Sequence, residues 1–130
     1  MARVVYLDSS ALMKLVTPEP ESGALDAFLV PHTGQLATSA IGMVEVARAS
    51  VRADAVERGK EVLESVGALE LTDEIVERSG AVPPPSLRSL DAIHVATAAS
   101  LGDELECLVA YDGCLLGAAS ALGLPVASPA

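Results

Sequence analysis

At 130 residues the chain has the length of one domain and can bury a sizeable core. Its 8 Lys and Arg against 18 Asp and Glu give a formal charge of −10, which excludes gripping nucleic acid through a broad basic surface. With 51% apolar residues, no Trp and one Phe, the core must be built from Val, Leu, Ile and Ala, a composition suited to parallel strands buried between helices.

The run Arg3 to Leu7 (RVVYL) reads as a first strand ending at Asp8. It is too short and too soon broken by a charge for a signal peptide or a membrane span, so a soluble cytoplasmic chain without membrane association is expected. Ser9 or Ser10 is expected to cap a helix over Ala11 to Val16, and Pro18 and Pro20 separate it from a second helix through Leu25, Phe28 and Leu29. Gln35 to Thr38 is the second predicted strand. Ser39 then caps a helix that carries Ile41, Val44, Glu45, Val46, Ala47 and Val51.

A further helix is expected from Ala53 to Val66, with Gly67 as its C-cap, followed by a third strand over Ala68 to Leu71. Thr72 and Asp73 cap another short helix. The run Pro83 to Pro85 marks a rigid loop, after which Leu87, Leu90, Ile93, Val95, Ala96 and Ala99 resume helical spacing with Asp91 near the start. Cys107 to Tyr111 (CLVAY) reads as a fourth strand ending at Asp112, Leu115 to Leu122 as a last helix stopped by Gly123, and Pro125 to Ala127 as a short edge strand. This alternation predicts a single domain over residues 1–130, an α/β sandwich of three layers with a mostly parallel sheet of four or five strands. Cys107 and Cys114 are too few and too awkwardly spaced for a disulfide framework or a zinc site, and read as small apolar residues.

Ligand sites in open parallel sheets form beyond the carboxyl ends of the strands. Asp8 and Asp112 follow predicted strands, and Asp91 and Glu45 lie in the first turns of predicted helices, so all four acids can face that edge. Singly, each has an ordinary explanation as a helix-terminal or solvated residue. Glu45 and Asp91, however, interrupt apolar segments, where a carboxylate is expensive unless paired or bound to metal. Only Lys14, Arg48 and Arg88 lie within about one helical turn of these segments. An all-oxygen donor set points to Mg²⁺, with Mn²⁺ as a close substitute.

Four segments carry a further likeness: VVYLDSSALMKL around Asp8, SAIGMVEVARA around Glu45, LRSLDAIHVATAA around Asp91 and LVAYDGCLLGAASALGLPV around Asp112. In that order and spacing the chain resembles, over nearly its full length, the PIN-domain ribonucleases and in particular the VapC-type toxins of bacterial toxin–antitoxin pairs. The resemblance implies a PIN-like fold and Mg²⁺-dependent hydrolysis of RNA phosphodiester bonds. Asp8, Glu45, Asp91 and Asp112 match the family's acidic metal-binding, catalytic quartet, and Ser10 matches its small hydroxyl residue beside the first acid. It also implies a cognate VapB-type antitoxin whose basic tail enters the acidic cleft, and assembly as a homodimer or a toxin–antitoxin hetero-oligomer. Ala110 departs from the family pattern, which often has Thr or Ser two residues before the last acid.

Arg48, one turn after Glu45, either touches a substrate phosphate or neutralises the acids. His94 reads as a packed or hydrogen-bonded core residue, and His32 as a loop residue. Met13, Leu15, Phe28 and Leu29 read as core, with an antitoxin or homodimer surface as the competing assignment. A phosphoacceptor receiver domain would need an early acidic pair and a late Lys, and a haloacid-dehalogenase-like phosphatase would need a second Asp where Ser10 stands. The competing reading from another class is a PIN-like binding or regulatory module with weak or absent catalysis.

Overall fold

A computed structural model describes residues 3–130. The elements in chain order are β1 (Val4–Leu7), α1 (Ser9–Val16), α2 (Ser22–Leu29), β2 (Gln35–Ser39), α3 (Ala40–Arg52), α4 (Val56–Glu64), β3 (Gly67–Leu69), α5 (Asp73–Ala81), α6 (Ser89–Ala99), β4 (Leu105–Val109), α7 (Gly113–Ala121) and β5 (Val126–Ala127). The five strands pair in parallel in the order β3-β2-β1-β4-β5, with Val5 opposite Leu36 on one side and Cys107 on the other. The chain first builds outward from β1 to β2 and β3, then returns to place β4 against the other side of β1. A crevice is expected where the order reverses, beyond the carboxyl ends of β1 and β4.

The two-residue period of β1 divides the core. Val5 and Leu7 point into a cluster with Ala11, Leu12 and Val16 of α1, Leu25 of α2, Val46 of α3 and Val62 of α4. Tyr6 points the other way, into a cluster with Val95 and Ala98 of α6, Leu108 of β4, Ala110 just after it, and Leu115 and Ala118 of α7. Helices α1 to α4 thus cover one face, and α6 and α7 the other, with α5 packed on α6. This is the three-layer arrangement expected from the sequence. Truncating a fully buried member such as Leu12 to Ala should destabilise by about 2–5 kcal/mol.

Several local expectations need correction. Asp8, not Ser9 or Ser10, caps α1: its carboxylate accepts the Ala11 N–H at 2.9 Å, because it is the single residue between strand and helix. The segment Ala53–Val66 is not one helix, since α3 closes at Ala53, Asp54 takes φ 54°, and α4 begins only at Val56. Gly67 is no C-cap. The chain leaves α4 through Ser65 in a right-handed conformation, and Gly67 already pairs with Ala37 as the first residue of β3. The fourth strand ends at Val109, so Asp112 follows it by a short loop. Val44 and Val51 lie on the exposed side of α3.

Ser39 and Thr72 do cap α3 and α5, and Gly123, at φ 81°, follows α7 as a helix-stopping glycine. Met13, Leu15 and Leu29 pack on the first core cluster, whereas Phe28 is partly exposed. Both cysteines are free, Cys107 buried and Cys114 exposed. Among the described residues no helix is long and apolar enough to cross a membrane.

Candidate metal centre

Strand β1 delivers Asp8 to the crevice through its backbone. The Asp8 N–H donates to Val109 O at 3.1 Å, which anchors the end of β1 to the end of β4. The side chain is only 3% exposed, and both hydrogen bonds it accepts fall on Oδ1, from Ala11 N–H and, at 2.7 Å, from Ser10 Oγ. Ser10 Oγ in turn accepts the Tyr111 N–H at 3.2 Å. One hydroxyl therefore ties Asp8 to the loop that carries Asp112.

Asp112 is exposed and caps α7, with Oδ1 accepting from Cys114 N–H at 2.8 Å and Leu115 N–H at 3.2 Å. Capping is therefore one job of both Asp8 and Asp112, as the ordinary reading of each allows. Capping does not account for their neighbours. Asp91, in the first turn of α6, has its carboxyl pushed up by its own partial burial, then by the negative charge of Asp112 and, further, of Glu45. Burial likewise raises the carboxyl of Asp8 against the help of its two donors, and Asp91 adds to that rise. The charges of Asp112 and Glu45 thus act on Asp91, and that of Asp91 on Asp8.

Among the described residues this repulsion is offset only in part, by His94 at Asp8 and by His94 and Arg88 at Asp91. Among the described residues, none of Asp8, Asp91 and Asp112 forms a salt bridge. Lys14 is engaged by Glu19 at 3.0 Å and Glu21 at 2.8 Å, and lies 4.6 Å from the centre of the Tyr111 ring. Arg88 precedes α6 and offsets only part of the rise at Asp91. Among the described residues Arg48 forms no salt bridge; with Ile41, Val44, Glu45, Arg52 and Leu90 it lines a pocket of about 400 Å³ that takes in Glu45 and none of the other three acids. A larger cavity of about 700 Å³ lies against β3 and the start of β2 and contains none of the four.

Glu45 is held from the opposite direction. His94, 1% exposed, places Nε2 2.8 Å from Glu45 Oε1 and Nδ1 2.6 Å from Tyr6 Oη. The expectation of a hydrogen-bonded core histidine is met, and the ring also reaches Glu45, which lies on another helix. The available signal was spacing: Asp91 and His94 are three apart on α6 and so share a face with each other. His32 is a loop residue between Glu106 Oε2 at 3.0 Å and Gln35 O at 3.2 Å. Ala110 is fully buried in the second core cluster.

Among the described residues no three His, Cys, Asp or Glu side chains close around a point as a preformed metal cage. The donor chemistry still fits a hard divalent cation. Mg²⁺ commonly binds through one or two carboxylates and keeps several waters, and a buried, unpaired Asp8 beside Asp91 supplies that kind of open, anionic site.

The model of the PIN domain matches residues 5–114. The chain is 39% identical over 132 residues to Ribonuclease VapC47 of Mycobacterium tuberculosis, covering 97% of each, and 41% identical over 131 residues to Ribonuclease VapC35 of the same species, again covering 97% of each. Among solved structures it is similar to a toxin–antitoxin complex from Klebsiella pneumoniae, with TM-score 0.68 and 26% identity over 83% of this chain and 86% of that one. The fold is also that of VapC20 of Mycobacterium tuberculosis, described as a sarcin-ricin loop cleaving toxin. That likeness has TM-score 0.76 at 17% identity, over 96% of this chain and 99% of that one.

Proposed function

The chain belongs to the PIN-domain family, and on that premise we propose that it is a divalent-metal-dependent ribonuclease acting as the toxin of a toxin–antitoxin pair. The observation that carries this reading is the unfavourable coupling of Asp91 with acids from three other segments, Asp8, Glu45 and Asp112, which Arg88 and His94 offset only in part. The names of the full-length relatives support hydrolysis of RNA, and the Klebsiella complex supports a partner chain.

Asp8 and Asp91 would hold Mg²⁺, or Mn²⁺ in its place, while Glu45 and Asp112 act through water, orient the nucleophile or complete a second ion site. When bound, the ion would polarise a phosphoryl oxygen and lower the pKa of an attacking water. Ser10 keeps Asp8 oriented through Oδ1, and Arg48 stands where it can meet a substrate phosphate. The net charge of −10 suits a VapB-type antitoxin whose basic segment enters the acidic cleft, in a cytoplasmic homodimer or toxin–antitoxin hetero-oligomer.

The test compares wild type with Asp8→Asn and Asp91→Asn on structured RNAs, with Mg²⁺ or Mn²⁺ and then with EDTA. Cleavage confined to the metal-loaded wild type is expected, and cleavage that persists in both variants refutes the reading. A second reading, a PIN-like binding module with weak catalysis, is favoured by Ala110, which supplies no hydroxyl, and by Asp112, whose Oδ1 is spent on capping. It predicts metal-dependent RNA binding without cleavage.

A further inference from the structure

The strongest feature outside the four acids is a buried hydrogen-bond chain that ends on one of them. The Ser39 N–H donates to Tyr6 Oη at 3.0 Å, Tyr6 Oη lies 2.6 Å from His94 Nδ1, and His94 Nε2 lies 2.8 Å from Glu45 Oε1. Ser39, Tyr6 and His94 are all buried, whereas the Glu45 side chain is 24% exposed. The chain thus runs from the end of β2, through β1, to α6 and across to α3.

Counting protons sets its direction. A carboxylate oxygen has no proton to give, so the bond to Glu45 requires N–H at Nε2. In the neutral ring Nδ1 is then the acceptor, and the Tyr6 hydroxyl, which burial keeps protonated, donates to it while accepting from Ser39. The packing leaves the ring little freedom. A Cβ at Gly42, one turn before Glu45, would stand 3.1 Å from His94 Cε1 and 2.4 Å from Thr38 Oγ1, so glycine lets the ring approach α3 closely. Tyr6 meets the ring edge-on, with centroids 5.8 Å apart.

We propose that His94, oriented by Tyr6, is a positioning residue that fixes Glu45 through Oε1 and so preorganises this carboxylate for the divalent ion. An unheld Glu on a helix surface samples many rotamers, and groups that orient a ligand carboxylate typically change metal affinity 10- to 100-fold. The inference rests on the metal-site reading above, but it assigns a role to residues outside the acidic quartet.

The experiment measures Mn²⁺ affinity of the full chain by calorimetry, in wild type, His94→Asn, His94→Gln, Glu45→Gln and the two double variants. Gln can place its amide N–H where Nε2–H stands, whereas Asn is too short to reach Glu45. His94→Asn should weaken Mn²⁺ binding roughly 10-fold or more, and His94→Gln should restore most of it. In the Glu45→Gln background neither His94 variant should have a further effect. Equal affinity of His94→Asn and wild type, or an undiminished loss in that background, overturns the assignment. Should the variants not fold, the ring ¹⁵N spectrum of metal-free wild type decides: a proton on Nε2 is expected, and a neutral ring protonated on Nδ1 refutes it. A wild type that binds no Mn²⁺ refutes the metal reading and this inference together, which separates the two kinds of failure.

Discussion

Ser10 Oγ and the Tyr111 N–H, 101 residues apart in sequence, meet at 3.2 Å, and the same hydroxyl donates to Asp8 Oδ1 at 2.7 Å. Removing it deprives Asp8 of a donor and leaves a backbone N–H without its acceptor. Ser10→Ala should therefore destabilise the chain by about 1–3 kcal/mol and lower metal-dependent cleavage, whereas Ser10→Thr should retain most of both. Urea unfolding with parallel cleavage assays checks this. A Ser10→Ala protein as stable and active as wild type would mean that the hydroxyl orients nothing.

The raised carboxyls of Asp8 and Asp91 set a pH dependence whose sign is unusual for acids. The folded chain holds these two protons more tightly than the unfolded chain does. Their contribution to stability is present below the ordinary carboxylate range and is lost as pH rises through the raised folded values. In EDTA the thermal midpoint should gain from these groups on mild acidification, and Mg²⁺ should remove the advantage by favouring the ionised forms. Asp8→Asn, which keeps a capping oxygen for α1, should melt higher than wild type in EDTA near neutral pH and gain nothing from Mg²⁺. Wild type should gain about 2.7 kcal/mol at an ion concentration 100 times its Kd. Thermal melts across pH with and without Mg²⁺ read all three effects, and a metal-free wild type that outlasts Asp8→Asn contradicts the charge argument.

The layer order and the place of Asp8 at the end of β1 were legible because they follow from periodicity and from where strands end. Val5, Tyr6 and Leu7 alternate between two cores as a strand must, and Asp8 follows directly. Element ends were less legible. Asp8 caps α1 because it is the single residue between strand and helix, a matter of backbone geometry rather than of residue type. Gly67 satisfies the composition of a C-cap, yet pairing with Ala37 claims it for a strand. The link from Tyr6 through His94 to Glu45 joins three elements distant in sequence, and only the sheet order brings them together.

Arg48 separates two roles by kinetics. As a phosphate contact, its replacement by Ala should raise KM several-fold with little change in kcat, and should reduce the salt dependence of RNA binding. As a neutraliser of the acids, the same change should instead strengthen Mn²⁺ binding, because the site becomes more negative. Steady-state cleavage at two salt concentrations, with an Mn²⁺ titration of the same variant, distinguishes them. An Arg48→Ala protein unchanged in KM, salt response and Mn²⁺ affinity has neither role.

Two glycines should divide stability from site geometry. A Cβ on Gly59 of α4 would stand 2.3 Å from Ser50 Oγ and 2.7 Å from Ser50 Cβ, so Gly59→Ala must push α4 from α3 and should cost about 1–3 kcal/mol. Ser50 Oγ is buried without a hydrogen-bond partner, so Ser50→Ala alone should be neutral or stabilising. It should rescue Gly59→Ala only in part, because the contact with Cβ remains, and Ser50→Gly should rescue it further on the packing side. None of these changes touches the acids, so Mn²⁺ affinity below the melting range should stay at the wild-type value. Gly42→Ala differs, since its Cβ would press on Thr38 Oγ1 at 2.4 Å and on the His94 ring at 3.1 Å. There stability and Mn²⁺ affinity should fall together. A Gly42→Ala protein that loses stability but keeps full Mn²⁺ affinity would show that the ring can shift without releasing Glu45.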